Sequence, residues 1–350
     1  MSKKARIKDI AKLAGVSIGT VDRVLHDRGE VAEITAKKVL KIANDLDYSP
    51  NLMARALRSK QSKHIVVLLP EGNDENAFWI KHHQGLEKVM AELEPFNSQI
   101  DLVTYEMQSE DDFKSKTEEV ILNHPDGVVF APVLKNESLH FCDEMHKLQI
   151  PYIFIDSVVD GADAISYIGE DAYQSGRIAA HLIDYGTDVN RDVLIINVAK
   201  DLDNRLHLSN RTQGFLSYFM DSGMNKGMKI SLEIQSYDKV EIKDKLGRRF
   251  AHNKNIGAVF VTSSMAHKIG QYFEEENLRD INLIGYDIID KNVKYLRTGF
   301  IKFLLSQRPA EQTEIAVRKL FDYIHSNKVP NQKEHLPIDV ITPENLAYFI

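Results

Sequence analysis

One cysteine, Cys142, and one tryptophan, Trp79, are all that 350 residues hold of those two types. A lone thiol can close no internal disulfide and build no cysteine-based zinc site, and such scarcity fits a reducing cytosol. No apolar run approaches the length of a membrane span. The opening stretch MSKKARIKDIA is charged where a signal peptide would be apolar, so a cytoplasmic protein is expected. Also missing are a GxxxxGK[ST] phosphate loop, a GxSxG elbow between a strand and a helix, an HExxH pair and a GxGxxG turn after a first strand. Hydrolase and nucleotide chemistry lose their usual signatures, so neither an enzyme nor a cofactor is expected. The adjacent histidines His82 and His83 do not share a helical face, so no metal site is expected either.

Positive charge is also short: 44 Lys and Arg against 51 Asp and Glu leave −7. The shortfall is uneven. Residues 1–63 hold 14 Lys and Arg against 7 Asp and Glu, a balance of +7, and the remainder holds 30 against 44, or −14. A small basic head on an acidic body implies that the head alone seeks a polyanion. With 43% apolar and 27% charged residues, the chain can support two or three packed units.

What the head does contain is a helical pattern interrupted once. Ile10, Leu13 and Ala14 recur at helical spacing, and Val21, Val24 and Leu25 resume it after GVS. Gly15 can take the positive φ that ends a first helix, Val16 can staple the corner, and Ser17 can cap a second helix by accepting from the amide of Thr20. Two short helices joined by such a turn form a helix-turn-helix, whose second helix enters the major groove of DNA. That second helix presents Ile18, Gly19, Asp22 and Arg23 together. A glycine inside a helix costs about 1 kcal/mol relative to alanine, so Gly19 needs a reason. Arg23 can donate two bonds to guanine, Ile18 can touch a thymine methyl, and Gly19 lets the backbone approach the bases. A third helix is expected with Thr35 as its cap and Val39, Ile42, Ala43 and Leu46 as its buried stripe. Beyond it, DYSPNLMARALRSKQS supplies Ser49 as a cap and Pro50 in a first turn; the short helix it starts should end near Leu57 or Arg58 and form only with support from DNA or a second copy.

IKDIAKLAGVSIGTVDRVLH followed by DYSPNLMARALRSKQS closely resembles the DNA-binding head and hinge of the lac-repressor/galactose-repressor family of transcription regulators. The resemblance implies base contacts from Ile18, Gly19 and Arg23. It further implies DNA contacts from Ser17, Thr20, His26, Asn51 and Arg55, and assigns Leu57 as a hinge wedge entering the minor groove at the centre of a palindromic operator. The partner copy would come from a homodimer, with a tetramer as the larger alternative. Asp22 departs from the family, which usually has serine there. A carboxylate at that place must accept from a cytosine amino group, pair with a neighbouring cation or turn away from phosphate; pairing with His26 one turn later is the expected outcome.

From His64 onward β-rich runs alternate with helical stretches. HIVVLL precedes a helix over 78–94, IDLVTYE one over 110–123, DGVVFAP one over 136–147, and YIFID follows. A second set starts with a helix over 171–185 and continues through DVLIINV, MKISLEI, IGAVFVT and INLIGYD, with helices over 209–222, 239–251 and 265–277 between them. Such alternation predicts parallel sheets covered on both faces, in two lobes. The closing FIKFLLSQRP, a helix over 309–326 and HLPIDVIT continue neither set. Crossings near 168, 302 and 329 would join the lobes and leave a cleft between them. The expected division is 1–48 for the helix-turn-helix head, 49–62 for the hinge, 63–168 with 303–327 for one lobe, and 169–302 with 328–350 for the other.

Ligands of open α/β sheets bind beyond the C-terminal ends of strands, so Phe78, Trp79, Asp156, Asp287 and Gln307 should line that cleft, with Arg211 on the turn into a second-lobe helix. Aromatic faces stack on the C–H face of a polyhydroxylated ring, and bidentate groups read its hydroxyls. Plainer readings exist for each: Phe78 and Trp79 as core, Asp287 as the cap of the following helix, Arg211 in a surface ion pair. The same stretches resemble the periplasmic sugar-binding-protein fold, its ribose-binding branch in particular, over most of residues 64–345. The resemblance implies sugar stacking by Phe78 and Trp79 of NAFWIKHHQG, and ligand contacts from Asp156, Arg211 of RTQGF, Thr262 and Ser263 of VTSSMA, Asp287 of GYD and Gln307 of SQRP. Ser157 stands where an arginine is common, and Thr262 and Ser263 where an Asn-Asp pair is usual, which argues against a plain pentose. The expected whole is an all-α helix-turn-helix head plus an α/β, two-lobed, periplasmic-binding-protein-like body with parallel sheets. Its expected function is that of a regulator, in the family's usual sense a repressor, whose DNA affinity answers to a sugar or sugar derivative. The alternative is a cytoplasmic sugar-binding or sugar-processing protein with an accessory DNA-binding head.

Overall fold

Three helices account for the described part of the N-terminal unit: α1 (Ile7–Ala14), α2 (Ile18–Leu25) and α3 (Glu33–Asp45). The computed structural model describes residues 7–25, 31–46, 62–74, 77–96, 98–198, 206–221 and 223–350, and its contacts separate Met1–Ser59 from Lys60–Ile350. Helix α1 ends where Gly15 takes φ +72°, and the N–H groups of Gly15 and Val16 both donate to the carbonyl of Ala11. A side chain at that φ would be strained, so glycine makes the tight turn cheap. Ser17 then caps α2, its Oγ accepting from the Thr20 N–H at 3.0 Å. Ile10, Ala11, Ala14, Val21, Val39 and Ala43 close together into a core. Two expectations fail here. Leu13 is 58% exposed, because the inner face of α1 runs through Ile10, Ala11 and Ala14. Thr35 lies inside the first turn of α3 rather than at its cap, since the Ala36 N–H already closes onto Ala32.

The body holds two six-stranded sheets. The first comprises β1 (Lys63–Pro70), β2 (Ser98–Tyr105), β3 (Gly127–Phe130), β4 (Tyr152–Ile155), β5 (Ser166–Gly169) and β11 (Lys333–His335), in the order β11-β5-β4-β3-β1-β2. The second comprises β6 (Asp192–Val198), β7 (Lys229–Ile234), β8 (Ile256–Val261), β9 (Asn282–Tyr286), β10 (Phe303–Ser306) and β12 (Asp339–Ile341), in the order β12-β10-β9-β8-β6-β7. Every pairing is parallel except β10 with β12. The central strands β3, β4 and β8 are buried at every position, as strands covered by helices on both faces must be, whereas the edge strands β2 and β7 are not. The covering helices are α4 (Ala77–Leu93), α5 (Glu110–Leu122), α6 (Lys135–Lys147), α7 (Ala172–Gly186), α8 (Leu206–Asp221), α9 (Lys239–His252), α10 (Ala266–Glu275), α11 (Asp290–Arg297) and α12 (Pro309–Ser326). Among the described residues, no helix is long and apolar enough to cross a membrane.

The chain passes between sheets three times, and two passages differ from the expected places. FLLS pairs with β9 in the register Phe303↔Ile284, so the second passage follows Ser306 rather than residue 302. The polar segment KEH pairs with β5 through Lys333↔Tyr167, so the third lies between His335 and Asp339 rather than at 329. Helix α12 returns to the first lobe, packing on α4 and on β3, β4 and β5. Helices α7 and α8 approach so closely that a Cβ on Gly176 would sit 2.0 Å from the Arg211 carbonyl oxygen, and one on Gly214 1.9 Å from that of Tyr173. Only glycine permits that crossing. It fixes the backbone from which Arg211 projects.

Candidate ligand cleft and nucleic-acid interface

On α2, one face is sealed by Val21 while Ser17, Ile18, Gly19 and Arg23 are exposed and Thr20 is half-buried. The Thr20 hydroxyl sits 2.9 Å from Ser17 Oγ, completing the cap. Ile18, Gly19 and Arg23 therefore share one outward face, as positions i, i+1 and i+5 of a helix do. A Cβ on Gly19 would meet nothing nearer than Ser17 Oγ at 3.7 Å, so among the described residues the fold itself has no need of glycine there. The string GVSIG, which contains the G-x-S-x-G spacing, joins two helices and has no strand before it. Asp22 is half-buried on the same helix. His26, Asn51, Arg55 and Leu57 lie outside the described residues.

In the body, an open cleft of ≈ 650 Å³ lies between the lobes. Its walls come from the ends of strands, where parallel α/β sheets leave backbone and side chains facing outward. Phe78 and Trp79 open α4 after β1, and Asp156 and Ser157 follow β4. Across from them, Ser263 follows β8, Asp287 follows β9, and Arg211 reaches in from α8. Gln307 lies on the second passage between lobes. Asp156 (φ 64°) and Asp287 (φ 71°) both hold left-handed backbone, an uncommon state for residues with a side chain and one that turns each carboxylate off its strand end.

Thr262 is the exception among the expected residues. It is fully buried behind the wall, its hydroxyl 2.6 Å from Asn197 Oδ1, while its carbonyl accepts from Arg211 Nη1 at 2.6 Å. Side chains alternate along a strand, so Thr262 points inward and Ser263 toward the cleft. Nor is Arg211 on a turn: α8 begins at Leu206, and Arg211 is already in its second turn.

Arg211 is 2% exposed and ion-paired with Glu170, itself 1% exposed, through Nη2 and through Nε at 2.6 Å. Its plane lies 3.7 Å above the ring of Tyr286. Burial works against the guanidinium's charge, and Glu170 more than restores it, so the pKa lies above the ordinary value. Asp287 is raised to about 7: burial is the main cause, Glu170 and Asp156 add to it, and Arg211 and Gln307 oppose it. Gln307 Nε2 stands 3.3 Å from each Asp287 oxygen, which orients the amide with Oε1 pointing away. Gln312 of α12 joins the lobes: its Oε1 accepts from the Asp156 N–H and its Nε2 donates to the Gln307 carbonyl, both at 2.9 Å. Asp287 does not cap α11, whose cap residue, Ile289, offers no side-chain bond.

Phe78 and Trp79 line the cleft and are also packed, at 9% and 4% exposure. The Trp79 indole stacks on His82, with centroids 4.9 Å apart, and His82 Nδ1 lies 2.8 Å from the Thr313 hydroxyl. Burial, reinforced by His83, depresses His82 to about 3. In the unfolded chain it would bind a proton below about 6.5, so the folded state loses stability as pH falls from 6.5 toward 3, at ~1.4 kcal/mol per pH unit. Between about pH 6.5 and 5, His82→Gln should lose roughly 2 kcal/mol less stability than the parent, read from urea unfolding at both pH values. Equal losses would place the imidazole in contact with water.

Several cleft residues escaped the sequence reading. Met107, Val133, Val198 and Tyr237 also line the site just beyond, or at, strand ends, and His207, Ser264 and Met265 complete it. Applying the strand-end rule to every strand would have found most of them. Glu170 and Gln312 leave no local trace.

Residues 65–328 match the periplasmic binding protein domain family, and residues 6–51 match the bacterial regulatory proteins of the lacI family. The HTH-type transcriptional regulator RegA of Clostridium saccharobutylicum is 25% identical over 360 aligned residues, covering 97% of this chain and 98% of that protein. The ribose operon repressor of Lactococcus lactis is 26% identical over 349, covering 97% of each. Among solved structures, a candidate LacI transcriptional regulator from Bacteroides fragilis superposes with a TM-score of 0.77 at 26% identity, over 82% of this chain and 99% of that one.

Proposed function

This chain belongs to the lacI family of bacterial regulatory proteins, with a body of the periplasmic binding protein domain family, and from that premise we propose a cytoplasmic homodimeric repressor whose grip on a palindromic operator is set by a carbohydrate-like ligand in the cleft. The observation that carries the reading is the siting of the cleft's polar groups on the passages between lobes. Gln307 lines the cleft on the second passage and holds Asp287, and Glu170, which holds the lining Arg211, lies immediately after β5 on the first, so a ligand that engages Asp287 and Gln307 bears on a segment that joins the lobes. A ligand that binds one lobe arrangement better than another shifts the population by that difference alone. The relatives it matches along nearly their whole length are named as a regulator and a repressor rather than as enzymes.

On the DNA side, Ser17, Ile18, Gly19, Thr20 and Arg23 meet the major groove, and His26, Asn51, Arg55 and Leu57 extend the contact by family resemblance. Arg23→Ala should cost about 1–3 kcal/mol in specific binding and relax preference at one base pair per half-site, as loss of a bidentate guanine contact does. Fluorescence anisotropy on DNA selected from a random pool measures this; an unchanged base preference would remove Arg23 from the reading face. On the ligand side, a thermal-shift screen of neutral and charged carbohydrates on the full chain tests the cleft, because a bound ligand raises stability as RT ln(1 + [L]/Kd). No response to any carbohydrate would overturn the ligand class.

A further inference from the structure

We propose that Thr313 and His82 are positioning residues for the aromatic wall of the cleft: the Thr313 hydroxyl fixes the His82 ring, and that ring sets the planes of Phe78 and Trp79 against the ligand. The inference rests on the carbohydrate reading above and adds what holds its stacking face. His82 follows Phe78 and Trp79 by four and three residues on α4, so it neighbours both on the helix surface. Its imidazole meets the Phe78 ring edge to face, with centroids 5.0 Å apart at 80°, and stacks on Trp79 at 4.9 Å and 28°. Phe78 and Trp79 in turn meet edge to face at 5.2 Å. His82 thus touches both rings that line the cleft while being fully buried itself. Because it covers one face of the indole, a ligand that stacks on Trp79 must take the other.

What fixes His82 lies on another helix. Its Nδ1 is 2.8 Å from the hydroxyl of Thr313 on α12, and Thr313 is fully buried as well. The χ2 torsion of an imidazole is soft, whereas a β-branched residue in a helix is confined at χ1, so the stiff partner sets the loose one. Helices α4 and α12 meet closely here: a Cβ on Gly85 would sit 2.2 Å from the Ala310 carbonyl oxygen. Folding alone gives little reason for the pair. Further along α12 the buried face is apolar, through Ala316, Val317, Leu320 and Phe321, and replacing both members of a buried hydrogen bond by apolar groups of like shape is close to neutral. His82 Nε2, moreover, is buried without a hydrogen-bond partner among the described residues, a cost that an aliphatic side chain would avoid. That cost falls where the ring governs the wall, as departures from the best folding choice do at functional sites. Beside Thr313, Gln312 holds the Asp156 N–H and the Gln307 carbonyl, so consecutive residues of α12 hold aromatic and polar groups of the cleft.

Trp79 is the sole tryptophan of the chain, so its fluorescence reads this wall without a label. The purified full-length chain is compared with Thr313→Val, which keeps the shape and removes the hydroxyl; with Thr313→Ser, which keeps the hydroxyl; and with His82→Phe, which keeps a ring and has nothing to bond Thr313. Calorimetry with ribose, glucose, galactose and myo-inositol gives affinities, and acrylamide quenching of the unliganded chain gives the accessibility of the indole. Thr313→Val and His82→Phe should each weaken the tightest of the four probes by about two- to tenfold, the worth of one oriented aromatic contact, and should raise the quenching of Trp79. Thr313→Ser should match the parent in both. Since the two residues act through one bond, combining Thr313→Val with His82→Phe should lose no more affinity than either alone; additive losses overturn the inference. Unaltered affinity in Thr313→Val and His82→Phe, whatever their stability, assigns the pair to packing and overturns it, while the carbohydrate reading stands. A parent that binds none of the four counts against the carbohydrate reading, and quenching then decides the inference alone: a rise in Thr313→Val that Thr313→Ser reverses supports it, and no rise overturns it.

Discussion

Glu170→Ala is expected to destabilise the body by about 3–5 kcal/mol, because it leaves a guanidinium that is 2% exposed without its ion-pair partner. The cost follows from how Arg211 is held. At 2% exposure it donates to Glu170 and to the Thr262 carbonyl and lies against Tyr286, and none of these but Glu170 carries a compensating charge. Arg211→Ala should cost a similar amount by the mirror route, leaving Glu170 buried beside Asp156 and Asp287. Replacing both, as Arg211→Met with Glu170→Leu, removes the charges together and should be far milder than either single change, since apolar replacement of a buried pair is often neutral. A double-mutant cycle by chemical denaturation measures this, and near-additive losses would show that the two groups do not stabilise each other. A loss of this size is a large part of the ~5–15 kcal/mol that holds a domain together. The pair therefore supports the wall of the cleft first; any effect on ligand follows from that.

Deleting residues 1–61 should abolish DNA binding and leave a body that still folds and still responds to ligand. The basis is charge and packing. The first 63 residues carry +7 while the rest carries −14, so the body alone repels the phosphate backbone. The head has its own core around Ile10, Val21 and Val39, and the two sheets draw no residue from it. In the full chain, affinity should fall steeply with salt, the logarithm of the binding constant losing ~0.9 per phosphate contact for each tenfold rise in salt. Gel-shift titration of both proteins on the same DNA measures the loss. Specific binding by the truncated chain would locate the DNA site in the body.

Much of this architecture is legible in the order of residues. Short β-branched runs such as IVVLL and IGAVFV, alternating with helical stretches, read as strands covered on both faces, and the positions beyond the ends of β1, β4 and β9 locate Phe78, Trp79, Asp156 and Asp287 on the cleft wall. What escapes is whatever a short or polar segment decides. SYIG and KEH carry no apolar run, yet they pair as β5 and β11 and so set the first and third passages between lobes. With β5 unseen, Glu170 has no strand to follow, and its partner lies 41 residues away on a helix. Thr262 and Ser263 show a finer limit: adjacent residues face opposite ways, and only the exact end of β8 says which one meets the ligand. On α1, a spacing that suits Leu13 suits Ala11 equally, and the packing of α3 decides between them.

The account stands or falls on coupling between the cleft and the head. DNA selected by the full chain from a random pool should be titrated with protein in the absence and in the saturating presence of the tightest ligand from the thermal-shift screen. The account predicts a change in DNA affinity of about 5–150-fold, matched by an equal change in ligand affinity when DNA is bound, because coupling free energy is reciprocal. A ligand that fills the cleft and leaves DNA affinity unaltered would contradict it.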